Sequence, residues 1–321
     1  MGSAGNRLRV AYQTGQGSLL HGRIEDALAT NLASCEGEVN LIFTSPPFPL
    51  NRKKQYGNLN GDEYLAWLGD LAPRLVKLLA PSGSLVIELG NAWEQGRPVM
   101  SLLPLQALME VLRAGKLNLC QQFVCHNPAR LPSPAQWVTT NRIRVKDSFT
   151  HVWWMSPSEQ PKADNRHVLV DYSPAMKKLL ARQAYNDGHR PSGFVINSTS
   201  FLKDNGGAIP PNVLMMDEES PAGEVPEDLL TFANTTSTDA YSVYCRDLGY
   251  PTHPARMPAG LPEFFIKLLT EEGDLVLDPF GGSNMTGAVA ERLKRRWISV
   301  EPEIDYINGS KGRFNDSIIK R

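Results

Sequence analysis

The amino-acid sequence predicts an α/β fold in which a doubly wound, mostly parallel sheet carries helices on both faces. Three observations lead to this prediction. Short runs of β-branched and large apolar residues alternate with segments whose apolar residues recur at helical spacing. Near the carboxy terminus, a glycine-rich turn joins one such strand to a helix. Between the two alternating regions lies a polar segment, residues 128–250, that is punctuated by prolines.

The composition is that of a globular protein in water. Of 321 residues, 41% are hydrophobic and 21% are charged, and the formal net charge is −1. No apolar run has the length that a membrane span needs, and no signal sequence is recognisable. The four cysteines lack the paired spacing of a zinc site, so no metal site is expected and a reducing cytosol is the natural compartment.

The alternation places most of the predicted elements before residue 128 and after residue 250. In the first part, helices are predicted over 23–32, 62–79 and 102–112, and strands over 18–20, 39–43, 84–89 and 121–125. In the last part, helices are predicted over 261–270 and 288–293, and strands over 273–278 and 297–300.

The middle of the chain is predicted to be irregular. It contains one clear strand near 150–155, and helical periodicity is confined to 174–180. Residues 203–211 read as a loop, and the acidic run 217–228 as a solvated excursion. The sequence therefore predicts a main domain made of residues 1–127 and 251–321, with an inserted recognition region over 128–250.

A serine and two prolines follow the buried strand 39–43. Proline lacks an N–H group and fixes φ, so the backbone at Pro46 and Pro47 is stiff and can only accept hydrogen bonds. With the hydroxyl of Ser45 before them and the ring of Phe48 after them, these groups can hold a flat ring that bears an amino group. An ordinary strand-to-loop turn is the alternative interpretation of the same residues.

The glycine-rich turn near the carboxy terminus has the pattern of a nucleoside site. Gly281 and Gly282 allow close approach of a ligand to the backbone, and Glu301, nineteen residues after Gly282, suits a ribose diol. No Gly-Lys-Ser/Thr follows, and the acid at Asp278 would repel a pyrophosphate but attract an amino group. The turn therefore points to S-adenosylmethionine, with a structural strand-to-helix turn as the alternative.

The two turns resemble the motifs of amino-group DNA methyltransferases. Asp278–Asn284 is similar to their cofactor motif, and Thr44–Phe48 to their catalytic motif in the Ser-Pro-Pro form that goes with cytosine N4 rather than adenine N6. The catalytic half comes first, as in the circularly permuted β group. The resemblance extends to the PvuII-type cytosine-N4 enzymes in further segments, namely 52–59, 131–134, 142–147, 152–154, 203–211, 253–256, 261–265 and 297–299.

This resemblance implies a seven-stranded methyltransferase sheet, S-adenosylmethionine as cofactor, and double-stranded DNA as substrate with a cytosine flipped out beside Ser45. It also implies a role for 128–250 in recognising the target, and a bacterial or archaeal cytosol as location. A cognate restriction endonuclease is a further partner to expect, and the chain is expected to be a monomer or a homodimer. The expected catalytic residues are Ser45, Pro46, Pro47 and Phe48.

The expected cofactor residues are Asp278, Pro279, Phe280, Gly281, Gly282, Ser283, Asn284, Thr286, Glu301, Glu88, His253 and Arg256. Two positions depart from the family pattern. Arg23 stands where an Asp usually follows the residue matching Gly22, which puts the adenine contact of that Asp in doubt. Glu88 stands where an Asp is common and keeps the same charge.

Two basic clusters are candidates for contact with DNA. Arg52, Lys53 and Lys54 lie just beyond the catalytic turn, from where they can reach phosphates. A second set, Arg142, Arg144 and Lys146, alternates at strand spacing and so could share one face toward DNA. A solvated surface is the alternative interpretation for any single one of these side chains.

Other reactions fit the residues less well. Cytosine-C5 methylation needs a nucleophilic cysteine, normally after a proline, and none of the four cysteines follows one. Adenine-N6 methylation prefers Asp or Asn before the two prolines. A DNA-binding homologue without catalysis would not need to keep Ser45 and Asp278. The DNA sequence that is recognised does not follow from the amino-acid sequence.

Overall fold

The structure is a computed structural model of the chain. It describes residues 7–47, 61–183, 188–189, 195–196, 201–217, 230–233 and 235–314. Four residues of the predicted site, Phe48, Arg52, Lys53 and Lys54, lie outside the described residues, as does most of the acidic run after Asp217.

The strands of the described residues form one large sheet and one small antiparallel pair. Those of the large sheet are β1 (Arg9–Gln13), β2 (Gly17–His21), β3 (Val39–Thr44), β4 (Leu79–Gly90), β5 (Asn118–His126), β6 (Phe149–Ser156), β9 (Val213–Asp217), β10 (Thr231–Ala233), β11 (Leu275–Asp278) and β12 (Arg296–Glu301). The pair consists of β7 (Gly188–His189) and β8 (Val195–Ile196).

The α-helices of the described residues are α1 (Ile24–Ala29), α2 (Gly61–Val76), α3 (Leu103–Gly115), α4 (Pro174–Arg182), α5 (Ala240–Leu248), α6 (Gly260–Leu269), α7 (Met285–Arg292) and α8 (Ile304–Ser310). Within the described ranges, none of them combines the length and the apolar character that crossing a membrane requires.

The ten strands of the large sheet lie in the order β1-β2-β12-β11-β3-β4-β6-β5-β9-β10. The middle seven, from β2 to β5, are the predicted methyltransferase sheet, in which β6 runs antiparallel to both neighbours. Three strands that were not predicted extend it, β1 beside β2 and β9 with β10 beyond β5. The predicted seven-stranded α/β sheet is thus confirmed, and it is the centre of a wider one.

Both faces of the sheet are covered by apolar helix surfaces, as near-continuous apolar strands require. Along β3, Ile42 packs with Leu68 and Leu75 of α2 on one face. Its neighbours Leu41 and Phe43 point to the other face, where they meet helix α6. The strand is fully buried on both faces, which explains why it lacks an alternating polar pattern.

The middle of the chain is more regular than its sequence predicts. Residues 128–250 supply β6, β9 and β10 to the main sheet and also contain helix α5, although periodicity indicated only the helix now seen as α4. The strand spacing of residues 142–146 is misleading, because this segment is irregular and Arg142 has a φ of 54°. The division into two domains stays a prediction.

Candidate active site

The site lies where the carboxyl ends of β3, β4, β11 and β12 meet at one edge of the sheet. Parallel neighbours end at the same edge, and the antiparallel β6 begins there, so Ser45, Glu88, Thr150, Asp278 and Glu301 converge although they are distant in sequence. In open α/β sheets this edge is where ligands bind. A cavity of about 620 Å³ opens at this edge and is lined by all five residues.

Asp278 is buried in the wall of this cavity and is held by three donors. The hydroxyl of Thr44 donates to one carboxylate oxygen at 2.8 Å, and the hydroxyl of Thr286 donates to the other at 2.7 Å. The backbone N–H of Phe280 donates at 3.1 Å. Burial raises the pKa of Asp278, whereas these hydrogen bonds lower it. The carboxylate is therefore fixed in position at the carboxyl end of β11.

The glycine turn follows Asp278 and lines the cavity. Gly282 has a φ of 50°, and a Cβ placed there would approach the ring of His253 to 3.1 Å. The N–H of Gly282 donates to Glu301 at 2.7 Å, and the N–H of Glu303 donates to the other carboxylate oxygen at 2.9 Å. Burial of this carboxyl raises the pKa of Glu301 to about 7.

Most predicted cofactor residues line the cavity, namely Asp278, Pro279, Phe280, Gly281, Gly282, Ser283, Thr286, Glu301, Glu88, His253 and Arg256. Asn284 is the exception. It is fully buried, accepts from the hydroxyl of Ser299 at 2.7 Å and donates to the hydroxyl of Tyr12 at 2.8 Å. Its side chain thus supports the turn from behind, and a direct contact with a ligand in the cavity is not available to it.

His253 and Arg256 also line the cavity, with the ring of His253 against Gly282. His253 packs edge-to-face against Tyr306, with ring centroids 4.5 Å apart. Arg256 makes an ion pair with Asp239 at 3.1 Å and donates to the hydroxyl of Ser242 at 2.6 Å. Since Asp239 caps the amino terminus of α5, Arg256 ties that helix to the site. No sequence pattern indicated this tie, because α5 was not predicted.

The predicted catalytic turn lines the same cavity. Ser45 is exposed, Pro46 is buried and Pro47 is half-buried, and all three line the cavity. Glu88 lies beside Ser45 and accepts from the hydroxyl of Thr150 at 3.0 Å. Burial raises the pKa of Glu88, while hydrogen bonds from Thr150 and Ser45 and the charge of Arg130 lower it. The register of β3 and β4 places Glu88 next to Ser45, and its predicted contact with the cofactor stays a prediction.

The second basic cluster is exposed but does not form one strand face. Arg144 donates to the carbonyl of Pro98 at 2.7 Å, and Lys146 donates to the carbonyl of Pro128 at 2.6 Å. Arg142 is exposed on the same irregular segment. Contact of these side chains with DNA stays a prediction that cannot rest on strand alternation.

Several cavity residues had no recognisable sequence signal. Trp67 of α2 donates its indole N–H to Glu25 at 2.8 Å and packs against Phe280 with centroids 5.6 Å apart. In the sequence, Trp67 reads as one more apolar helix residue. Arg23, the departure from the family pattern, also lines the cavity and lies 3.5 Å from Glu25.

Comparison with known proteins agrees with this architecture. A model of the DNA methylase family, N6_N4_Mtase, matches residues 39–312. The Type II methyltransferase M.PvuII of Proteus hauseri is 43% identical over 311 residues, which cover 96% of this chain and 87% of that protein. The fold and the site define a DNA methylase, and the chain belongs to the N6_N4_Mtase family.

Two solved structures of DNA methylases are similar to this chain. This chain is similar to PvuII DNA methyltransferase (cytosine-N4-specific), with a TM-score of 0.73 and 37% identity over 98% of this chain and 92% of that one. A putative DNA modification methylase from Thermus thermophilus, solved in complex with S-adenosyl-L-methionine, has a TM-score of 0.54. The two chains are 18% identical, with 94% of this chain and 93% of the other covered, so this second likeness shows the fold alone.

Proposed function

We propose that this enzyme is a cytosine-N4-specific DNA methyltransferase, which moves the methyl group of S-adenosylmethionine to the exocyclic N4 of a cytosine flipped out of duplex DNA. The observation that carries the proposal is one cavity of about 620 Å³ that holds both predicted turns. They are linked directly, since Thr44, the residue before Ser45, donates to Asp278 at 2.8 Å. The 43% identity to the Type II methyltransferase M.PvuII and the likeness to the cytosine-N4-specific PvuII structure support it.

The residues at the glycine turn fit S-adenosylmethionine. The buried carboxylate of Asp278 suits the ammonium group of its amino-acid part, and the lone pairs of Glu301 that Gly282 and Glu303 leave available suit the ribose hydroxyls. Gly281 and Gly282 line the cavity and carry no side chain, so a ligand can approach their backbone closely. When bound, this cofactor supplies an electrophilic methyl group on a positively charged sulfur.

The Ser45 turn can prepare the amino group of cytosine for attack. The hydroxyl oxygen of Ser45 and the carbonyl of Pro46 can each accept one N–H bond of N4, which favours a pyramidal nitrogen whose lone pair is free. The register of β3 and β4 places Glu88 next to Ser45, so the hydroxyl of Ser45 can turn its hydrogen toward that carboxylate and keep its oxygen as an acceptor toward the cavity. Most of the rate gain in such a site comes from positioning and electrostatics.

Glu88 can also deal with the proton that the reaction releases. N4 gains a methyl group and must lose one hydrogen to become a neutral secondary amine. A buried carboxylate with a raised pKa, next to the serine that holds N4, is a suitable acceptor for that proton. Phe48, predicted to stack on the base, lies outside the described residues.

The biological setting follows from the same proposal. A modification enzyme of this type acts on DNA in the cytosol, where a restriction endonuclease that cuts the same sequence would be its natural counterpart. The Type II designation of M.PvuII supports such a pairing. Assembly as a monomer or a homodimer is compatible with it.

The proposal is tested by mapping modified bases in DNA from cells that express the protein. We expect N4-methylcytosine at one short sequence, and none in cells that carry the vector alone. N6-methyladenine instead would identify an adenine methyltransferase. The absence of any modified base, together with intact binding to duplex DNA, would identify a catalytically silent homologue.

A further inference from the structure

Arg130 lies in the wall of the cavity near Ser45, and no sequence motif pointed to it. Its Nη1 donates to the carbonyl of Phe149 at 3.0 Å and lies 3.8 Å from a carboxylate oxygen of Asp147. Asp147 in turn accepts from the amide of Asn91 at 2.8 Å. The guanidinium is therefore held in place from one side, with a third of the side chain exposed.

The other amine of this guanidinium, Nη2, faces Gly90. A Cβ built on Gly90 would lie 3.9 Å from Nη2, with the methyl group of Thr150 at 4.0 Å and no nearer neighbour in the described part of the chain. None of the described residues accepts a hydrogen bond from Nη2. A planar guanidinium that is fixed through one amine presents the remaining N–H bonds in a set direction.

Ser45 and Arg130 thus flank a strip along the end of β4, from Glu88 to Gly90, that carries no side chain at Gly90. Glu88 and Gly90 project from the same face of β4, because side chains alternate, and lie about 7 Å apart along the strand. Glu88 is next to Ser45, and Gly90 is next to Nη2 of Arg130. The distance is suitable for the edge of one base.

We propose that Arg130 determines the choice of cytosine by donating to its O2 and N3. The inference rests on the proposed function, in which Ser45 and Pro46 hold N4. The pairing edge of cytosine has the amino group at one end, N3 in the middle and the carbonyl O2 at the other end. Adenine has a C–H bond in place of O2, so it would leave a donor of Arg130 without an acceptor, which is costly in a site closed to water.

Asp147 makes this arrangement compatible with catalysis. A bare cation at O2 and N3 would withdraw electron density from N4 and oppose attack on the methyl group. With the Asp147 carboxylate 3.8 Å away and Glu88 near enough to be influenced by its charge, Arg130 acts as an oriented donor with much of its charge balanced.

The test combines a change in the protein with a change of one atom in the base. Once the target sequence is mapped, two duplexes are compared, one with cytosine and one with 2-thiocytosine at the target, since sulfur accepts hydrogen bonds poorly. For the unaltered enzyme we expect kcat/KM to be at least about tenfold lower on the 2-thio duplex. Arg130→Met should lose about 100-fold on the normal duplex and respond little to the sulfur.

Arg97→Met is the matched control, because it removes an equal charge from an exposed arginine outside the cavity and should keep the full response to sulfur. Full sulfur sensitivity in Arg130→Met would overturn the proposal.

If Arg130→Met does not fold, Gly90→Ala tests the proposal instead. Its methyl group clashes with nothing in the protein but occupies the strip of β4 beside Arg130. We expect kcat/KM to fall at least about tenfold in Gly90→Ala, and normal values would overturn the proposal. A lack of N4-methylcytosine with the unaltered enzyme would instead refute the proposed function.

Discussion

The proposed role of Ser45 depends on the adjacent Glu88 and Pro46 more than on the reactivity of its own hydroxyl. A serine hydroxyl is a weak acid and a weak nucleophile, but here it lies at the cavity next to the carboxylate of Glu88, toward which it can direct its hydrogen. Pro46 cannot donate a hydrogen bond, so it offers only its carbonyl. These groups form an acceptor pair that matches an amino group and would not match a carbonyl group.

Ser45→Ala removes one of the two proposed acceptors for N4 without touching the glycine turn. We expect kcat to fall by about 100-fold or more, by analogy with the loss of one positioned hydrogen bond in other active sites. The affinity for S-adenosylmethionine, measured by calorimetry, should stay within about twofold of the original value. Ser34→Ala, at an exposed serine outside the cavity, should change neither quantity. Full activity of Ser45→Ala would contradict the mechanism.

Glu301 gives the site a pH dependence. Its pKa is raised to about 7 in the folded chain, from an ordinary value of 4.5, because burial disfavours the charged form. The folded chain therefore binds this proton more tightly than the unfolded chain does. Protonation of Glu301 thus adds stability at low pH, and this contribution is lost as pH rises through about 7.

Binding of the cofactor should show the opposite trend, because the ionised carboxylate is the better acceptor for ribose hydroxyls. We expect the affinity for S-adenosylmethionine to increase as pH rises through about 7, the pKa of Glu301, in calorimetric titrations across that range. Glu301→Gln should remove most of this dependence. Glu36→Gln, at an exposed carboxylate, should keep it. An affinity that is flat with pH in the unaltered enzyme would rule out this role.

At the scale of elements, apolar pattern was sufficient for the strands that are mostly buried, and also for β5, whose apolar residues are concentrated in its buried second half. The strands β3, β4, β5, β6, β11 and β12 were all predicted, each with somewhat different ends. Helix α5 was missed because it is short and buries only Tyr241, Ser242 and Cys245, while other apolar residues such as Leu248 are exposed and blur the helical period. Its stability depends on the cap at Asp239 and on tertiary contacts, which local pattern does not contain.

The residues of the candidate site also fall into those that the sequence could predict and those that it could not. The glycine turn and the Ser-Pro-Pro turn are continuous stretches of sequence with distinctive residues, so they could be predicted. Arg130 and Trp67 enter the cavity only through the pairing of strands and the packing of α2. No local signal identifies such residues, because an arginine is common on any protein surface and a tryptophan is common in any helix that packs on a core.

Two glycine substitutions can separate the effect of backbone strain from the effect of lost ligand space at the glycine turn. Gly282→Ala places a side chain in left-handed backbone and against His253, whereas Gly273→Ala, with φ of 84°, meets nothing within 4 Å. Each should destabilise the fold by about 1 kcal/mol in denaturant titrations. We expect only Gly282→Ala to weaken cofactor binding, by about tenfold or more. Equal cofactor affinities in the two variants would show that the ligand does not approach Gly282.

At the scale of the whole molecule, the sheet brings together two halves that are far apart in sequence. A net charge of −1 gives little overall attraction to DNA, so binding depends on where the charges lie. The exposed Arg142, Arg144 and Lys146 belong to the segment that follows Arg130, on the same stretch between β5 and β6. This arrangement would direct phosphates toward the cavity rather than to the molecule at large.

Thr44 precedes Ser45 in the chain and donates to Asp278, so it links the two proposed parts of the site. Thr44→Val keeps the shape of this buried side chain but removes its 2.8 Å hydrogen bond to Asp278. We expect a loss of about fivefold to tenfold in cofactor affinity, equivalent to about 1 kcal/mol. We also expect a weaker link between the two ligands. DNA affinity is measured by titration with and without S-adenosylmethionine, and the difference between the two values should be smaller in Thr44→Val than in the unaltered enzyme. An unchanged dependence would show that Thr44 does not connect the sites.

The bond between Thr44 and Asp278 has a thermodynamic consequence. If filling the donor site shifts Asp278, it also shifts the strand end that carries Ser45, and the two ligands then bind cooperatively. Such a coupling free energy is reciprocal, so DNA must favour retention of the methyl donor by the same factor by which the donor favours DNA. An enzyme built in this way would engage a target cytosine most tightly when it is loaded, and would release modified DNA more readily once the methyl group is spent.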